Sequence, residues 1–597
     1  MASAMTSGRR RLAAFTLTES LRALAYRALG SPLFGMRYAG RYPERLLIAP
    51  TDLRTSDPTV AADIHAGRFL FAGQLIDVGD DSVFEFEPPG EEWARRLHGF
   101  GWLRHLRVAD GGPADPTART LVADWIRVGS RHPAIAWETE VVSRRIMSWL
   151  AQAPLILEGC DYAFYTRFIR SLTRQTRHLR RVAGMAAAGL PRLRAMIALT
   201  AAALSMSDAD AFVKQASRKL DSELQNQVLP DGGHVGRNPG ALIDLLVDLL
   251  PLRQAFTARG IQPSRALMAV IDRMMPMIRF FRHGDGGFAR FNGMGDTQSD
   301  LVATALAYDD ARGNPVSNAP HSGYQRVVAG PTLVLMDTGA PPAMPISGTA
   351  HAGCLSFELS VGRQLVVVNC GAPTVGPPRL RRLARTTAAH STVSINDTSS
   401  CRFLNRPGLS QRLGEVVIAG PQNVTVERGQ EEGGTVIVAR HDGYGERYGI
   451  IHHRRIRLSA TGDRLDGADI FTTPRGQPVT RSGKDTFAIR FHLHPSLEAL
   501  QEEAGGPIEL VFVDGEMWQF ESTAEANIED SIFFSDVHGN RPSLQIVLLG
   551  RPQQQPSVSW SLRRIGFRGR VRLPDSMRSG AAPNVLPGAD LDGADDG

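Results

Sequence analysis

A glycine-rich loop in the first half of the chain carries the first residues whose types and spacing suggest chemistry. It runs from Asp231 to Pro239, contains His234, Arg237 and Asn238, and leads into an apolar helical pattern. Asn followed by Pro is typical of a helix N-cap and the first helical residue, which gives Asn238 a structural interpretation. The functional interpretation is that loop amides and helix N-termini favour anions, so that the Asn238 side chain holds a substrate carboxylate.

Three more residues could transfer a proton. His351 precedes an alternating strand, and His390 leads into another strand within reach of Arg385. Tyr324 stands where the pattern changes from helical to β, and clefts between domains are common sites. The structural alternative is open for each, because single histidines at strand ends are more often structural and an isolated Tyr is usually a packing residue.

The composition excludes several protein classes. The 597 residues include 67 Lys and Arg against 61 Asp and Glu, with 43% hydrophobic and 21% charged residues, which excludes wholesale disorder. Four cysteines exclude a disulfide scaffold. No apolar run reaches the roughly 18 residues of a transmembrane helix. Aromatic residues do not interleave with a basic stripe, so we expect no nucleic-acid partner.

Two kinds of element must position these residues. Up to about residue 320 apolar residues recur at three- and four-residue spacing, which predicts helices such as Thr139 to Leu150 and Ala241 to Thr257. From about residue 322 short strands follow one another between Gly, Asn, Asp and Pro, which predicts a β-sandwich. The chain is therefore α+β, with a helical barrel or solenoid before an antiparallel sandwich.

The two ends of the chain differ in charge. Arg9 to Arg11 precede an amphipathic helix in which Leu17, Leu21, Leu24 and Ala25 share one face, which would lie on another domain or on a membrane surface. The apolar stretch is too interrupted for a signal peptide, so the compartment stays open. The acidic C-terminal tail is expected to be disordered.

One hairpin brings two cysteines together. Leu355 to Ser360 alternates, Val361-Gly362-Arg363 makes the turn, and Leu365 to Val368 returns. With Gly362 as the centre, Cys354 and Cys370 would face each other. They are interpreted as small buried hydrophobes, with a disulfide as the alternative in an oxidising compartment.

Three stretches together resemble the heparinase II/III family of polysaccharide lyases, bacterial enzymes that cleave acidic glycans. They are Asp231 to Pro239 with its helix, His351 to Gly371, and Arg385 to Val393, and the resemblance covers roughly residues 70–550. It implies an incomplete (α/α) toroid followed by antiparallel β-sandwich sheets. The expected division is 1–69 N-terminal helix and extended segment, 70–320 toroid, 321–573 sandwich and 574–597 acidic tail.

The resemblance implies a carbon–oxygen lyase that acts on a uronic-acid polymer, such as a glycosaminoglycan, by β-elimination. An amide or cation stabilises the charge that develops on the uronate, a Tyr or His removes the C5 proton, and another group protonates the leaving O4. The residues expected to act in catalysis are Asn238, Tyr324, His351 and His390, and those expected to bind substrate are His234, Arg237, Arg290, Arg326 and Arg385. Family members are typically exported, which suggests the periplasm although no signal is evident.

The chain also departs from the family pattern. Thr349 and Gly353 replace a His and an Asp of the His-x-His-x-Asp stretch, and Ala241-Leu242 replaces a Tyr-His pair. No cofactor is required, but a structural zinc on His351, Asn369 and His390 is suggested, with Asn369 in place of an Asp that is a better ligand. Two hypotheses follow: a lyase on an acidic polysaccharide, or a catalytically degenerate glycan-binding protein on the same fold.

Overall fold

A computed structural model describes residues 2–30, 42–108, 115–129, 133–308, 313–374, 376–479, 484–536 and 539–567. The acidic tail at 574–597 therefore lies outside the described residues. The first part of the chain is helical, and its helices are α1 Ala2–Gly30, α2 Pro58–His65, α3 Glu91–Gly99, α4 Pro116–Val128, α5 Pro133–Ala136, α6 Thr139–Ala151, α7 Ala153–Leu157, α8 Tyr162–Val182, α9 Leu190–Ser205, α10 Asp210–Gln227, α11 Gly240–Ala258, α12 Arg265–Phe280 and α13 Ser299–Ala307.

The helices begin where the sequence supplies caps. Asp115 accepts hydrogen bonds from Thr117 and Ala118 at the start of α4, and Asp161 does the same for Phe164 in α8. Neighbouring helices such as α9 and α10 pack side by side on one large apolar core. Most residues of α9 and α11 are buried and apolar, so these two helices form the inside of this core.

The second part of the chain is a stack of two antiparallel sheets. Its strands are β3 Asn318–Ala319, β4 Tyr324–Ala329, β5 Thr332–Asp337, β6 Phe357–Val361, β7 Gln364–Val368, β8 Val393–Ile395, β9 Arg402–Phe403, β10 Val417–Ala419, β11 Val424–Glu431, β12 Gly434–His441, β13 Ile451–Leu458, β14 Arg464–Thr472, β15 Phe487–Leu493, β16 Glu498–Gln501, β17 Ile508–Val511, β18 Glu516–Ser522, β19 Ala526–Phe533, β20 Arg541–Gly550 and β21 Ser557–Phe567. A separate hairpin, β1 Arg68–Phe71 with β2 Gln74–Asp77, lies in the helical part. The short helices α14 Pro378–Ala384, α15 Leu409–Leu413 and α16 Gly445–Tyr448 connect strands.

One sheet has the strand order β19-β20-β15-β7-β6-β5-β4-β3, with β8 also paired to β15, and the other has β11-β12-β13-β14-β21-β18-β17-β16. Strand β13 alternates half-buried and buried residues, so one face of its sheet is in the core. Strands β5 and β6 are buried on both faces because the helical part covers the outer face of their sheet. The predicted α+β class, toroid followed by sandwich, is confirmed.

The switch between the two parts falls close to the predicted position. The last helix of the helical part, α13, ends at Ala307, and β3 begins at Asn318. One backbone contact shows how tightly the parts fit. A Cβ at Gly284, in the loop after α12, would lie 1.7 Å from the carbonyl oxygen of Gly362 in the β6–β7 turn. Only a glycine allows this approach of the two backbones.

The predicted facing of Cys354 and Cys370 is wrong. The hairpin turns at Gly362 and Arg363, but a bulge between Leu359 and Ser360 shifts the register, and neither cysteine lies within a strand. All four cysteines are free thiols, and these two are buried in different apolar clusters. They are the small buried hydrophobes of the structural interpretation.

The N-terminal helix α1 bridges the two parts. Leu12 and Phe15 pack against a small cluster from the sandwich part, and the Tyr26 hydroxyl donates a 2.5 Å hydrogen bond to the carbonyl of Trp137 in the helical part. Leu17, Leu21 and Leu24, by contrast, are exposed. The expected packing of this face on another domain is therefore wrong. Among the described residues no helix has the length and apolarity to cross a bilayer.

Candidate functional site

The backbone of the glycine-rich loop packs directly against the middle of α12. Gly232 has φ +89°, and a Cβ there would lie 1.9 Å from the carbonyl oxygen of Arg273, so no other residue fits without moving the helix. His234 is buried beside it. Its Nδ1 accepts the Gly236 N–H at 3.0 Å, so Nε2 carries the proton and donates to Gln227 at 3.2 Å. Both ring nitrogens thus form hydrogen bonds within the protein, and neither is free to bind a substrate.

Arg237 ties this loop to the sandwich. Its Nε donates to the Ser322 carbonyl, and its two Nη atoms donate to backbone carbonyls of residues 323, 339 and 340 and to Oδ1 of Asp337. The last bond is 2.5 Å long, and both charged groups are buried. All five donors of a guanidinium are then satisfied within the protein. Arg237 is placed as a structural tie rather than as a substrate-binding cation.

Tyr324 lies beneath Arg237 and away from solvent. The Arg237 guanidinium stacks 4.7 Å above the Tyr324 ring. The Tyr324 hydroxyl donates to the carbonyl of Arg237 at 2.5 Å and accepts from Nδ2 of Asn292 at 2.8 Å. Burial raises the pKa of this phenol far above its ordinary value. A buried phenol that already donates its proton and strongly resists ionisation is poorly suited to remove a proton from a sugar.

Asn292 joins Tyr324 to the histidines, and it is not among the site residues predicted from the sequence. Its Nδ2 also donates to Asp337 Oδ2 at 3.0 Å, and its Oδ1 accepts the backbone N–H of His351 at 3.3 Å. Asn292 has φ +48° and the next residue, Gly293, has φ +90°. The Asn-Gly pair is a recognisable signal for such a left-handed turn, but nothing in its local pattern indicates its partners.

His351 and His390 form a buried, neutral pair. His390 Nδ1 lies 2.7 Å from the carbonyl oxygen of Thr386, which can only accept, so Nδ1 carries the proton. His390 Nε2 then accepts from Nδ1 of His351 at 3.0 Å. Burial is the main cause that lowers the pKa of His390 to about 4 and that of His351 well below its usual value. Nε2 of His351 keeps a bare lone pair, with no hydrogen bond in the part of the chain that the structure describes.

Asn238 caps a helix, as one of its two interpretations predicts, and the atom on which the other interpretation depends stays unbonded. Its Oδ1 accepts the backbone N–H of Gly240 at 2.8 Å and so caps α11. Its Nδ2 makes no hydrogen bond among the described residues. That Nδ2 lies 3.3 Å from where a Cβ on Gly293 would stand, and the Cβ of Thr349 lies equally close to the same point. An open amide donor therefore faces the loop that carries His351.

The zinc set suggested by the resemblance does not fit this geometry. Oδ1 of Asn369 accepts the Ser391 N–H at 3.0 Å, while its Nδ2 and backbone N–H point to Glu358. His351 and His390 are bonded to each other, and no carboxylate joins them. A Cβ at Gly353, where the family has its Asp, would lie 2.6 Å from the His390 ring, so the ring occupies the missing ligand's space. Within the described ranges no group of three His, Cys, Asp or Glu is arranged to hold a metal.

The other predicted arginines are also engaged by the protein. Arg326 donates to the carbonyls of Phe280 and Arg282 at the end of α12, and Arg385 donates to those of Ala350 and Ser347. Burial lowers the pKa of each of these two guanidinium groups to about 10. Arg290 is buried 3.7 Å from Glu358, with its Nε and one Nη unbonded. The structure thus does not assemble the predicted basic cleft.

A cavity of about 580 Å³ opens in the helical part, and all the residues that line it belong to that part. Ten charged side chains line it, in equal numbers of each sign: Arg54, Arg95, Arg96, Arg104, Arg144, Asp52, Glu92, Glu140, Asp244 and Asp248. Asp244 and Asp248 lie on α11, the helix that Asn238 caps. At 1.5 Å per residue, Asp248 is about 15 Å along the helix from Asn238. The volume of the cavity is within the usual range for a small-ligand site.

Comparison with known proteins agrees with this architecture. A family model described as heparinase II/III-like, C-terminal, matches residues 311–561. FtsZ-localized protein C of Caulobacter vibrioides (strain NA1000 / CB15N) is 32% identical over 545 residues, which cover 90% of this chain and 93% of that protein. This chain belongs to the heparinase II/III-like family.

Solved structures of the family show the same fold at low sequence identity. A heparinase III structure superposes with a TM-score of 0.67 at 13% identity, over 94% of this chain and 92% of that one. A mutant of the heparan sulfate lyase HepC from Pedobacter heparinus gives 0.61 at 15% identity, over 95% and 92%. This likeness extends the family's toroid-and-sandwich fold over nearly the whole chain.

Proposed function

We propose that this heparinase II/III-like chain binds a uronate-containing polysaccharide at the seam between toroid and sandwich and lacks the acid–base pair for β-elimination. The observation that carries the proposal is the contrast between Asn238 and Tyr324. The amide that would meet a substrate carboxylate is open, whereas the phenol that would transfer a proton is buried and bonded at both ends.

His351 alone does not replace the missing pair. Its Nε2 lone pair is a base in form, but burial holds its pKa well below the usual value, so it binds a proton weakly. Neither imidazole of the His351–His390 pair has a proton that is free to protonate a leaving oxygen. The two imidazoles share one hydrogen bond, and the other proton of the pair is committed to the Thr386 carbonyl.

The ligand that suits this surface has sparse carboxylates. The cavity beside α11 is lined by equal numbers of basic and acidic side chains. The arginines that were expected to form a cationic cleft donate mainly to backbone carbonyls. A densely sulfated polymer would find little net attraction there, since long-range steering needs an excess of one sign. A glycan with a carboxylate on alternate sugars needs only one donor for the uronate in the site, and the Asn238 amide would supply it.

The test compares binding and cleavage on one panel of uronic-acid polymers and their carboxyl-reduced forms. We expect binding to the carboxylated polymers only and no ultraviolet absorbance from an unsaturated uronate. Asn238→Asp should keep the cap on Gly240 but weaken binding at least about ten-fold, because a carboxylate replaces the donor. Asn314→Asp, at an exposed position, is the charge-matched control. Equal binding of reduced polymers would refute the site, and an unsaturated product would restore the lyase hypothesis.

A second candidate function rests on the curated relative. FtsZ-localized protein C matches this chain over nearly its whole length at 32% identity, which favours a shared role over a shared fold alone. We therefore also propose that this chain localises with FtsZ. A fluorescent fusion imaged together with labelled FtsZ should coincide with it. A distribution that is independent of FtsZ would contradict this proposal and leave the glycan-binding proposal intact.

A further inference from the structure

The cavity in the helical part contains two arginines that its acidic residues do not neutralise. Each of the five carboxylates that line it already has another arginine as its partner. The pairs are Asp52 and Asp248 with Arg54, Glu92 with Arg95 and Arg96, and Glu140 and Asp244 with Arg194. Arg104 forms no ion pair among the described residues. Arg144 comes only within 4.0 Å of Asp248, a carboxylate that Arg54 binds at 2.8 Å.

Arg144 has donors but no acceptor. It lies on α6, makes no hydrogen bond in the part of the chain that the structure describes, and has a side chain that is 34% exposed where it lines the cavity. The neighbouring Arg54 guanidinium, together with burial, lowers the pKa of Arg144. A guanidinium stays charged at neutral pH, so an anion that enters the cavity would relieve this repulsion.

Two further donors line the same cavity. A Cβ at Gly101 would lie 3.8 Å from Cδ of Arg144 and 3.9 Å from Nη1 of Arg104, so these two side chains approach one point. Arg104 donates from Nε and Nη1 to two backbone carbonyls, which leaves its Nη2 unbonded among the described residues. His105 accepts the Asp57 N–H at Nδ1, at 2.9 Å, so its Nε2 carries a proton, and that proton has no acceptor in the described ranges.

We propose that this cavity binds a phosphate monoester, with its phosphate group on the guanidinium groups of Arg104 and Arg144 and on Nε2 of His105. Arginine forks match phosphate oxygens with paired hydrogen bonds. Two guanidinium groups without a carboxylate of their own suit a dianion, whereas a single carboxylate would neutralise only one of them. The proposal goes beyond the glycan site at Asn238 and does not rest on it, because a chain that binds no uronate could still bind a phosphate ester here.

The rest of the cavity suits an uncharged body for this ester. Its volume of about 580 Å³ is far larger than one phosphate group, and its lining includes apolar side chains such as Leu70, Trp102 and Met147. The five carboxylates would repel a second anionic group on the ligand. A sugar phosphate and a nucleoside monophosphate share the chemistry that remains.

Isothermal titration calorimetry of the full chain at constant ionic strength tests this assignment. The probes are glucose 6-phosphate and adenosine monophosphate, each beside its phosphate-free parent, with glucuronate as the carboxylate analogue. We expect one or both esters to bind and neither parent to bind. Glucuronate should bind about ten-fold more weakly or less, because it has one charge and two oxygens for the same donors. The tighter of the two esters identifies the body as a sugar or a nucleoside.

Variants of Arg144 separate binding from stability. Arg144→Gln should lower the affinity for the ester about ten-fold or more. It should not lower the melting temperature of the free chain, since it removes a repulsion and breaks no hydrogen bond. Arg144→Lys keeps the charge without the fork and should bind with intermediate affinity. The matched control is Arg107→Gln, at an exposed position on the same 3₁₀ helix as Arg104 but outside the cavity lining, and it should bind like the unaltered chain.

Three results would overturn the proposal. The first is that neither ester binds at millimolar concentration. The second is that glucose, adenosine or glucuronate binds as tightly as the esters, which would remove the role of the phosphate. The third is that Arg144→Lys, or a folded Arg144→Gln, binds the ester as tightly as the unaltered chain, which would place the ligand elsewhere.

Discussion

Replacement of Arg237 by Met should separate the stability of the toroid from that of the sandwich. The substitution keeps an unbranched aliphatic stem at the position but removes all five donors. Asp337 is then a buried carboxylate left with Asn292 Nδ2 and the Gly339 N–H, and four backbone carbonyls lose their donor. Breaking a buried ion pair from one side typically costs about 3–5 kcal/mol, so we expect a loss of that size in the free energy of unfolding.

Urea unfolding followed by tryptophan fluorescence and circular dichroism measures this loss. Five of the seven tryptophans lie in the helical part, and Trp518 and Trp560 lie in the sandwich. Because Arg237 joins the two parts, its loss should also split one transition into two. Arg464→Met is the control, since Arg464 is half exposed and its 2.7 Å pair with Asp466 should contribute at most about 1 kcal/mol.

A double-mutant cycle tests the cause. Asp337→Asn added to Arg237→Met removes the stranded charge, so the pair should cost clearly less than the sum of the two single losses. Additive losses, or a loss from Arg237→Met no larger than that of the Arg464 control, would show that the contact of Arg237 with the sheet does not stabilise the protein by this amount.

Three further predictions follow from other contacts. Gly232→Ala should lower the melting temperature sharply because its Cβ would lie 1.9 Å from the Arg273 carbonyl, whereas Gly260→Ala, with φ +65° but open space around it, should lower it far less. Burial holds the pKa of His234 at about 4, below the 6.5 of an unfolded chain, so its contribution to stability is present above pH 6.5 and is lost as the pH falls toward 4. On the order of 2 kcal/mol of that loss should be measured by pH 5, and His234→Gln should flatten it. Thiol titration should find four free thiols after unfolding but mainly Cys160 in the native chain, because the other three are buried; fewer than four would contradict the free cysteines.

Periodicity was sufficient to predict the architecture because it reports burial directly. Helical spacing gave Thr139 to Leu150 where the structure has Thr139–Ala151, and Ala241 to Thr257 where it has Gly240–Ala258. Strand alternation likewise placed β6 and β7. The same reasoning misplaced the cysteines, because a single bulge at Leu359 and Ser360 shifts the register and is invisible in the alternation.

The site could be predicted only as a neighbourhood. Asn238, Tyr324, His351 and His390 do meet at one seam, through Asn292 and Gly293. The role of each depends on partners far along the chain, and no local pattern reports those. Arg237 was expected to bind substrate because it lies in the glycine-rich loop that carries the family resemblance. Its five acceptors lie some 85 to 103 positions later, in a part of the chain that only folding brings near.

Adjacent residues of one loop therefore use their side chains differently. Arg237 has φ +60° and donates from its side chain to the sheet, whereas Asn238, at the start of α11, keeps an Nδ2 that makes no hydrogen bond among the described residues. The left-handed conformation at Arg237 is unusual for a residue with a Cβ, and it persists because five hydrogen bonds hold the guanidinium. Under the proposed function, glycan binding by Asn238 depends on Arg237 without any contact between Arg237 and the sugar. Arg237→Met should weaken binding together with stability, whereas Asn238→Asp should weaken binding alone.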